Sequence, residues 1–421
     1  MILYERFLSL VLILTIGLGV IVHISMVPKA SILIFLLLSF LILLSPLYHS
    51  KRKLTDNFSQ ADFNFLSYQK AIIDILLFFV LVISFILINT YFFSGGSPLS
   101  NVARLTVLIL ASIFIITYSN LIESFIRHYI IFVFIMSVVA LVIYFLIASG
   151  FLDYQQYFVD LSSLSRGSFN RDKGYFGAYS APYLLNFILI GSGKLSFAGL
   201  DFYRMSAWMH EPTFASLFIS PAFLILLFKK NIIENNKIRI IFLQVILFHI
   251  LVLASVAAYI GLLIVISLYI LFNKWESPST IFALGVVLLF TIGIVYYDLH
   301  NSSYEISSLL KSKFGPNSES FKFMIERLFW FLNYDEFNPQ IFYSSLIINL
   351  FLYYVIILAI KSIVAGNANI FAVIILYIAI HSFKGMQENI FMLPFLAVFY
   401  TMFSLLEAKE ESFNGVLDEK K

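Results

Sequence analysis

The stretch YIIFVFIMSVVALVIYFLIAS, residues 129–149, contains no charged side chain, no Gly and no Pro. A helix needs roughly 20 consecutive apolar residues to cross the hydrocarbon core of a bilayer, so this stretch is long enough to span. Similar apolar runs, bounded by charges, Gly or Pro, recur along the chain. We predict spans at 4–22, 31–48, 71–92, 103–120, 129–149, 212–228, 239–255, 257–273, 279–297, 341–361, 368–381 and 391–407.

The composition agrees with these runs. Of the 421 residues, 61% are hydrophobic and 12% are charged, and the mean hydropathy is +0.94. Ordinary soluble domains have about 45–50% apolar and about 25% charged residues. We therefore predict an all-α, polytopic integral membrane protein with about twelve transmembrane helices, in which residues 1–421 form a single membrane domain. The apolar stretch 238–273 is too long for one span, and we divide it at residues 255–258.

The distribution of Lys and Arg predicts the orientation, because cytoplasmic loops of membrane proteins are enriched in these residues. If the N-terminus is cytoplasmic, the basic loops at residues 51–53, 229–239 and 274 all fall on the cytoplasmic side. The C-terminus is then cytoplasmic as well. Two long loops, about 150–211 and 298–340, would lie on the outer side of the membrane. They contain nine basic residues, which are Arg166, Arg171, Lys173, Lys194, Arg204, Lys311, Lys313, Lys322 and Arg327.

Loops of this length are usually functional, and basic residues on the outer side run against the orientation rule. Within the loops, the apolar segment 183–190 is too short to span, and we predict a re-entrant or interfacial helix there. Residues 321–332 are predicted to form a helix at the lipid surface. Both segments would bring the loops' cations to the outer membrane–water boundary, where lipid phosphates lie.

The densest group of chemically active residues is RMSAWMHEPTFA, residues 204–215. Pro212 fits the first turn of a helix, and the residue before a proline is biased away from the helical conformation. Glu211 would therefore lie at the positive end of a helix dipole, ionised and available as a base. Arg204 could bind a diphosphate through two parallel hydrogen bonds. Equally, Glu211 could be only a helix cap, and Arg204 only an interfacial anchor.

Further candidate residues lie outside the segment 204–215. Arg166 and Arg171 lie in a segment with interleaved aromatic and Gly residues that could hold a phosphate and a sugar ring, although a solvated loop has the same composition. His381 is at the outer end of a predicted span, where it could meet a substrate or simply end the helix. His249 lies alone within a span, and we expect it to make a helix–helix hydrogen bond.

Several classes of protein and site are excluded. There is no Cys, so disulfides and thiolate metal sites are ruled out. The histidines lack metal-ligand spacing, and no phosphate-binding loop, dinucleotide motif or Asp-x-Asp motif occurs, so we expect no metal ion, nucleotide or other cofactor. The net charge of +3 does not predict nucleic-acid binding.

The hydropathy of the chain and two short motifs resemble the O-antigen polymerases of the Wzy type, in the O-antigen polymerase and ligase superfamily. After the first long loop, the matching positions are Arg204, Ala207, Glu211, Pro212, Phe214 and Ala215. In the second loop, Arg327 is followed by an aromatic-rich segment and Asn338-Pro339. The Gly-x-Gly that often follows in the family is absent here, and the His motif of the ligases is not visible.

The resemblance implies a GT-C-like membrane fold and a glycosyltransferase of lipopolysaccharide or other polysaccharide biosynthesis, independent of metal and nucleotide. The growing glycan would be transferred from undecaprenyl diphosphate to a lipid-linked repeat unit at the periplasmic face. Glu211 and Arg204 would be catalytic, and Arg166, Arg171, Arg327, His210 and His381 would bind substrate. Implied partners are undecaprenyl-diphosphate-linked oligosaccharides, the bilayer, a chain-length regulator and a flippase.

The two alternative functions are those of a flippase and of a ligase. A lipid-linked oligosaccharide flippase would have a polar cavity in the middle of the membrane, usually with paired broken helices. An O-antigen ligase would differ from a polymerase only in its acceptor. The sequence concentrates charge in the outer loops and shows no paired broken helices, which favours the polymerase.

Overall fold

Helices account for most of the residues that the structure describes. The computed structural model describes residues 2–17, 30–46, 73, 75–76, 80, 98–151, 158–159, 179–180, 187–189, 194–197, 200–203, 205–207, 209, 212–253, 255–272, 285, 339–364, 370–382 and 396–405. Each described helix overlaps a predicted span, so the helical prediction is confirmed for this part of the chain. The predicted spans 71–92 and 279–297 lie almost wholly outside it.

The helices are numbered here in chain order. They are α1 (Ile2–Ile16), α2 (Ala30–Leu43), α3 (Pro98–Thr117), α4 (Ile122–Ala148), α5 (Pro212–Phe228), α6 (Asn236–Val252), α7 (Val256–Phe272), α8 (Pro339–Val364), α9 (Ile370–Ser382) and α10 (Leu396–Leu405). Short 3₁₀ turns precede α4 at Ser119–Leu121 and follow α5 at Lys230–Ile232.

One continuous stretch, Ser119–Leu146, is both long and apolar enough to cross a membrane among the described residues. It comprises the 3₁₀ turn and most of α4, and it includes residues 129–146 of the apolar stretch 129–149. Shorter apolar stretches of 10–17 residues occur within α2, α5, α7, α8, α9 and α10. The apolar helical character is therefore observed, and the number of spans stays a prediction.

Hydrogen bonds between helices define two ends of the bundle. The Tyr118 hydroxyl lies 3.1 Å from the Tyr4 hydroxyl and donates to the Leu41 carbonyl at 2.8 Å. Lys229 and Glu123 form an ion pair at 3.2 Å. The start of α1, the ends of α2 and α3, the start of α4 and the end of α5 are thus drawn to one end, called here the Tyr118 end.

The opposite end is called the Ser216 end. Ser216, near the start of α5, contacts His381, near the end of α9, and Ser255, between α6 and α7. Helices α5 and α9 are therefore antiparallel, as the predicted alternation of spans requires. Under the predicted orientation, the Ser216 end is the periplasmic one.

The long apolar stretch 238–273 is broken where the sequence predicts. Helix α6 ends at Val252 and α7 begins at Val256. Leu253 and Ser255 are fully buried at the break. The hydroxyl of Ser255 reaches Ser216 at 3.5 Å, so the break places a polar group in the interior of the bundle.

The first long loop contains six short strands, which the sequence analysis did not predict. They are β1 (Phe158–Val159), β2 (Tyr179–Ser180), β3 (Phe187–Leu189), β4 (Lys194–Phe197), β5 (Leu200–Tyr203) and β6 (Met205–Ala207). Strands β1, β2, β3 and β6 form one antiparallel sheet in that order, and β4 pairs with β5.

The interfacial helix predicted at 183–190 is wrong for its described residues, because Phe187–Leu189 is strand β3. This strand pairs with β2 on one side and β6 on the other. A helix of eight residues is marginal by itself, whereas strands on both sides supply hydrogen-bond partners for the backbone. The predicted surface helix 321–332 lies outside the described residues.

Helix α5 lies at the centre of the bundle. Every residue from Phe214 to Leu227 is buried, so α5 has no lipid-facing or water-facing side in this segment. It packs against α4, α6, α7 and α9. The ring of Tyr129 from α4 lies 5.5 Å from that of Phe218 and 6.1 Å from that of Phe399 on α10. The start of α5 therefore lies amid the neighbouring helices.

Candidate functional site

The predicted catalytic pair, Arg204 and Glu211, adjoins described residues in the sequence. Arg204, His210 and Glu211 are outside the described residues, and so are Arg166, Arg171 and Arg327. Of the predicted site residues, His381 is described. The site is therefore built here from the elements on either side of these residues.

Helix α5 begins at Pro212, which is the start that the sequence predicts. Proline is favourable in the first turn, because the backbone N–H that it lacks would have no partner within the helix. Glu211 directly precedes Pro212 in the sequence. On the other side of the motif, β5 ends at Tyr203, β6 begins at Met205, and Met209 is fully buried.

Strand pairing connects the first long loop to the start of α5. Strand β6 ends at Ala207, shortly before α5 begins at Pro212. The strand contacts both α4 and α5. In the sheet, Ile188 of β3 pairs with Met205 of β6, and Leu189 pairs with Tyr179 of β2. Neighbouring strands are about 4.8 Å apart, so β2 lies roughly 10 Å from β6.

Strand pairing also brings together the ends of the segment that contains Arg166 and Arg171. Val159 of β1 pairs with Tyr179 of β2, so the ends of the segment 160–178 are joined. Arg166 and Arg171 belong to that segment. Arg204 falls between β5 and β6 in the sequence, and β6 is at the other side of the sheet. The described strands thus tie the chain segments that carry all three arginines to the Ser216 end of the bundle.

A cluster of buried polar side chains lies just below the start of α5. His381 Nε2 is 3.0 Å from Ser216 Oγ, and Ser216 Oγ lies 3.5 Å from Ser255 Oγ. All three residues are at most 1% exposed. Since a hydroxyl carries one proton, Ser216 donates to Ser255 only when the His381 Nε2–H donates to Ser216. We call Ser216, Ser220, Ser255, Tyr377 and His381 the polar cluster.

The second layer of the polar cluster lies one turn deeper. The Tyr377 hydroxyl donates to Ser220 Oγ at 2.9 Å and approaches the Ser216 carbonyl at 3.4 Å. Tyr377 and Ser220 are fully buried. Serines four residues apart on α5 thus face Tyr377 and His381, which are four residues apart on α9, as antiparallel helices allow.

His381 lies near the end of a helix, as predicted, but its partner could not be identified from the sequence. Its side chain is 1% exposed and hydrogen-bonded within the bundle, so the described contacts of His381 are with helices rather than solvent. Ser216, Ser220 and Tyr377 were missed. The available signal was the pair of serines at positions i and i+4 within an otherwise apolar helix.

The expected hydrogen bond of His249 is confirmed. Its Nδ1 lies 2.8 Å from Ser137 Oγ on α4, and both residues are fully buried. A third pair of the same kind joins His128 of α4 to Ser9 of α1 at 3.0 Å. Histidine–serine pairs are therefore a recurrent way of joining helices in this bundle.

A small, open apolar hollow lies at the Tyr118 end, away from the polar cluster. Leu12, Phe114, Phe125 and Met402 are among its lining residues, and Ser9 and Tyr118 supply its hydroxyls. It offers no cation for a phosphate. Among the described residues, no group of three His, Asp or Glu side chains could hold a metal ion.

Comparison of the sequence with protein-family models, with curated proteins and with solved structures gives no match.

Proposed function

We propose that this protein is a polysaccharide polymerase of the bacterial inner membrane. It transfers a growing glycan from undecaprenyl diphosphate to a lipid-linked repeat unit at the periplasmic face. The fold would be GT-C-like, with about twelve spans and cytoplasmic termini. The acceptor is the one feature that separates this reaction from that of an O-antigen ligase.

The observation that carries the proposal is the start of α5 at Pro212, directly after Glu211 and in the middle of the bundle. The unpaired N–H groups of a helix's first turn favour a negative charge close by. They stabilise an ionised Glu211 and would equally stabilise a phosphate of the substrate. The sheet supports the same location, because its strands carry the segments with Arg166, Arg171 and Arg204 toward this end.

In the proposed reaction, the acceptor hydroxyl attacks the anomeric carbon of the donor. A new carbon–oxygen bond forms, the bond from the anomeric carbon to the diphosphate breaks, and the diphosphate leaves with the electron pair. Glu211 takes the proton of the hydroxyl as general base. Arg204, assisted by Arg166, Arg171 and Arg327, stabilises the charge on the leaving diphosphate. His210 completes the substrate-binding group inferred from the resemblance.

The membrane location is supported by the surface of α4. Its long apolar stretch exposes Ile131, Ile135, Val142 and Phe145, with 37–53% of each residue accessible. Exposed apolar side chains are expected where a helix faces lipid, whereas a soluble protein of this composition would lack a way to cover them. Both substrates are themselves anchored in the outer leaflet, so they would reach the Ser216 end by diffusion in the membrane.

The test is deletion of the gene, followed by gel separation of the cell-surface glycan. Loss of long chains, with single repeats still attached, supports a polymerase. Loss of all surface repeats would instead indicate a flippase or a ligase.

Complementation with Glu211→Gln, which retains the size of the side chain but not its basicity, should fail to restore long chains at normal protein level. Wild-type ladders with Glu211→Gln would remove Glu211 as the base.

A further inference from the structure

Helix α5 is weakened near its middle. Pro221 lies inside the helix and has no N–H, so the carbonyl of Leu217 loses its usual partner four residues later. In a membrane helix, such a site persists because groups from neighbouring helices compensate for the lost hydrogen bond. Residues 212–220, the outer half of α5, are therefore joined to the remainder by an incomplete set of backbone hydrogen bonds.

Side chains from two neighbouring helices hold this weakened region. The hydroxyl of Tyr129, on α4, donates to the Phe218 carbonyl, next to Leu217. On the other side of Leu217, the Tyr377 hydroxyl reaches the Ser216 carbonyl and also bonds to Ser220 Oγ. These hydrogen bonds therefore hold the residues on both sides of Leu217, the residue whose carbonyl lacks its usual donor because of Pro221.

The contact nearest to the start of the helix is the one between Ser216 and His381. Ser216 lies four residues after Pro212, which is about 6 Å along the helix axis. Ser255, from the break between α6 and α7, meets the same hydroxyl. The second turn of α5, which directly follows the first, is thus fixed from two sides by one buried group of hydrogen bonds.

We propose that His381 is a positioning residue, which through Ser216 holds the outer half of α5 and so fixes Glu211 relative to the reacting atoms. The inference rests on the proposed function for the role of Glu211. It replaces direct substrate binding as the role of His381, because the residue is 1% exposed and its described partner is another buried side chain. An error of about 1 Å in the position of a catalytic group can reduce the rate about 100-fold.

The first experiment measures the position of the helix without reference to activity. The chain has no Cys, so Thr213→Cys in the first turn of α5 gives a unique site for a spin label. His381→Phe should increase the mobility of this label, whereas a label at Phe228→Cys, beyond Pro221, should be unaffected. His249→Phe is the matched control, because it removes an equally buried histidine–serine pair elsewhere. Unchanged mobility at position 213 would overturn the inference.

The second experiment uses purified protein with undecaprenyl-diphosphate repeat units extracted from the deletion strain. We expect His381→Phe to lower kcat at least 10-fold with KM within about twofold, which is the pattern of a lost transition-state interaction. His381→Gln places an amide near the position of Nε2 and should restore much of kcat. His249→Phe should change neither constant beyond about twofold, measured per amount of monodisperse protein.

The outcomes separate the inference from the proposed function. A raised KM with unchanged kcat would show that His381 binds substrate, and equal losses in His381→Phe and His249→Phe would show a role in folding alone. Either result overturns the inference. If the wild-type protein extends no glycan while the label at position 213 responds as expected, the proposed function is wrong and the hold of His381 on α5 remains.

Discussion

Arg239 is a buried cation with a structural role. It is 5% exposed, and its Nη1 donates to the Leu226 carbonyl at 2.8 Å. Its Nε and Nη2 donate to Asn236 Oδ1 at 3.1 and 2.9 Å. Leu226 is in the last turn of α5, where carbonyls have no partner within the helix. The guanidinium, in the first turn of α6, therefore caps the C-terminal end of α5. Its positive charge also interacts favourably with the negative end of the α5 dipole.

We expect Arg239→Met to destabilise the protein by about 1.5–3 kcal/mol, because hydrogen bonds that involve a charged group are lost while the apolar stem is retained. Thermal unfolding in detergent would measure the change. Lys237→Met is the control, since Lys237 is exposed on the same helix. Equal melting temperatures for the two variants would show that the cap contributes nothing.

Arg204 is the residue on which the proposed binding of diphosphate most depends. Arg204→Lys keeps the charge but loses the planar pair of donors, so chain extension should be clearly impaired. An interfacial anchor would tolerate the change. Gel separation of the surface glycan distinguishes these cases, and a ladder of wild-type length with Arg204→Lys would contradict bidentate binding.

At the scale of the element, α5 is a central helix that depends on its neighbours. Its side chains are apolar apart from Ser216, Ser220 and Thr213, and Pro221 interrupts its backbone hydrogen bonds. Burial on all sides explains why the segment reads as continuously apolar rather than amphipathic. The stability of the helix therefore lies in donors from α4 and α9 as well as in packing.

Tyr129→Phe should lower the stability of the bundle by about 0.5–1.5 kcal/mol, because it removes the hydroxyl that donates to the Phe218 carbonyl and leaves the ring in place. Thermal unfolding of the purified protein would measure it. Tyr354→Phe on α8 is the control, because no hydrogen bond to the Tyr354 hydroxyl is found within the described part of the chain. A melting temperature that falls equally in both variants would assign the effect to the loss of any hydroxyl.

Local features could be predicted from the sequence, and long-range ones could not. The start of α5 follows from the properties of one proline, and the break near Ser255 follows from the length of a helix that a bilayer accommodates. Strand β3 could not be predicted, because a three-residue apolar segment also fits a helix, and its partners lie at Tyr179 and Met205. The contact between Ser216 and His381 joins residues 165 positions apart, which no local pattern reveals.

At the scale of the whole molecule, the predicted orientation assigns each end of the bundle to one side of a membrane. The Tyr118 end has the ion pair of Lys229 with Glu123 and the buried Arg239. The Ser216 end has the polar cluster and the sheet. The described cations at the Tyr118 end agree with the predicted orientation, in which the Ser216 end is periplasmic.

Reporter fusions test this arrangement directly. Fusions at Gly174 and Asn317, in the two long loops, should both be exported, and fusions at Lys229 should not. A phosphatase that is active only outside the cytoplasm provides the measurement. A cytoplasmic result at Gly174 would reverse the orientation of α4 and α5, and the proposed site would then be on the wrong side for its lipid-linked substrates.

The two ends should also differ in amide hydrogen exchange. The strands of the first loop are two to four residues long, so each is held by a few backbone hydrogen bonds. Such elements open at a small cost in free energy, whereas amides in the buried part of α4 exchange only when much of the bundle opens. Deuterium should therefore enter β1 to β6 long before it enters α4 and the inner half of α5. The sheet would then open and reclose many times while the helices behind it stay intact, and under the proposed function such opening would let a long polymer enter and leave.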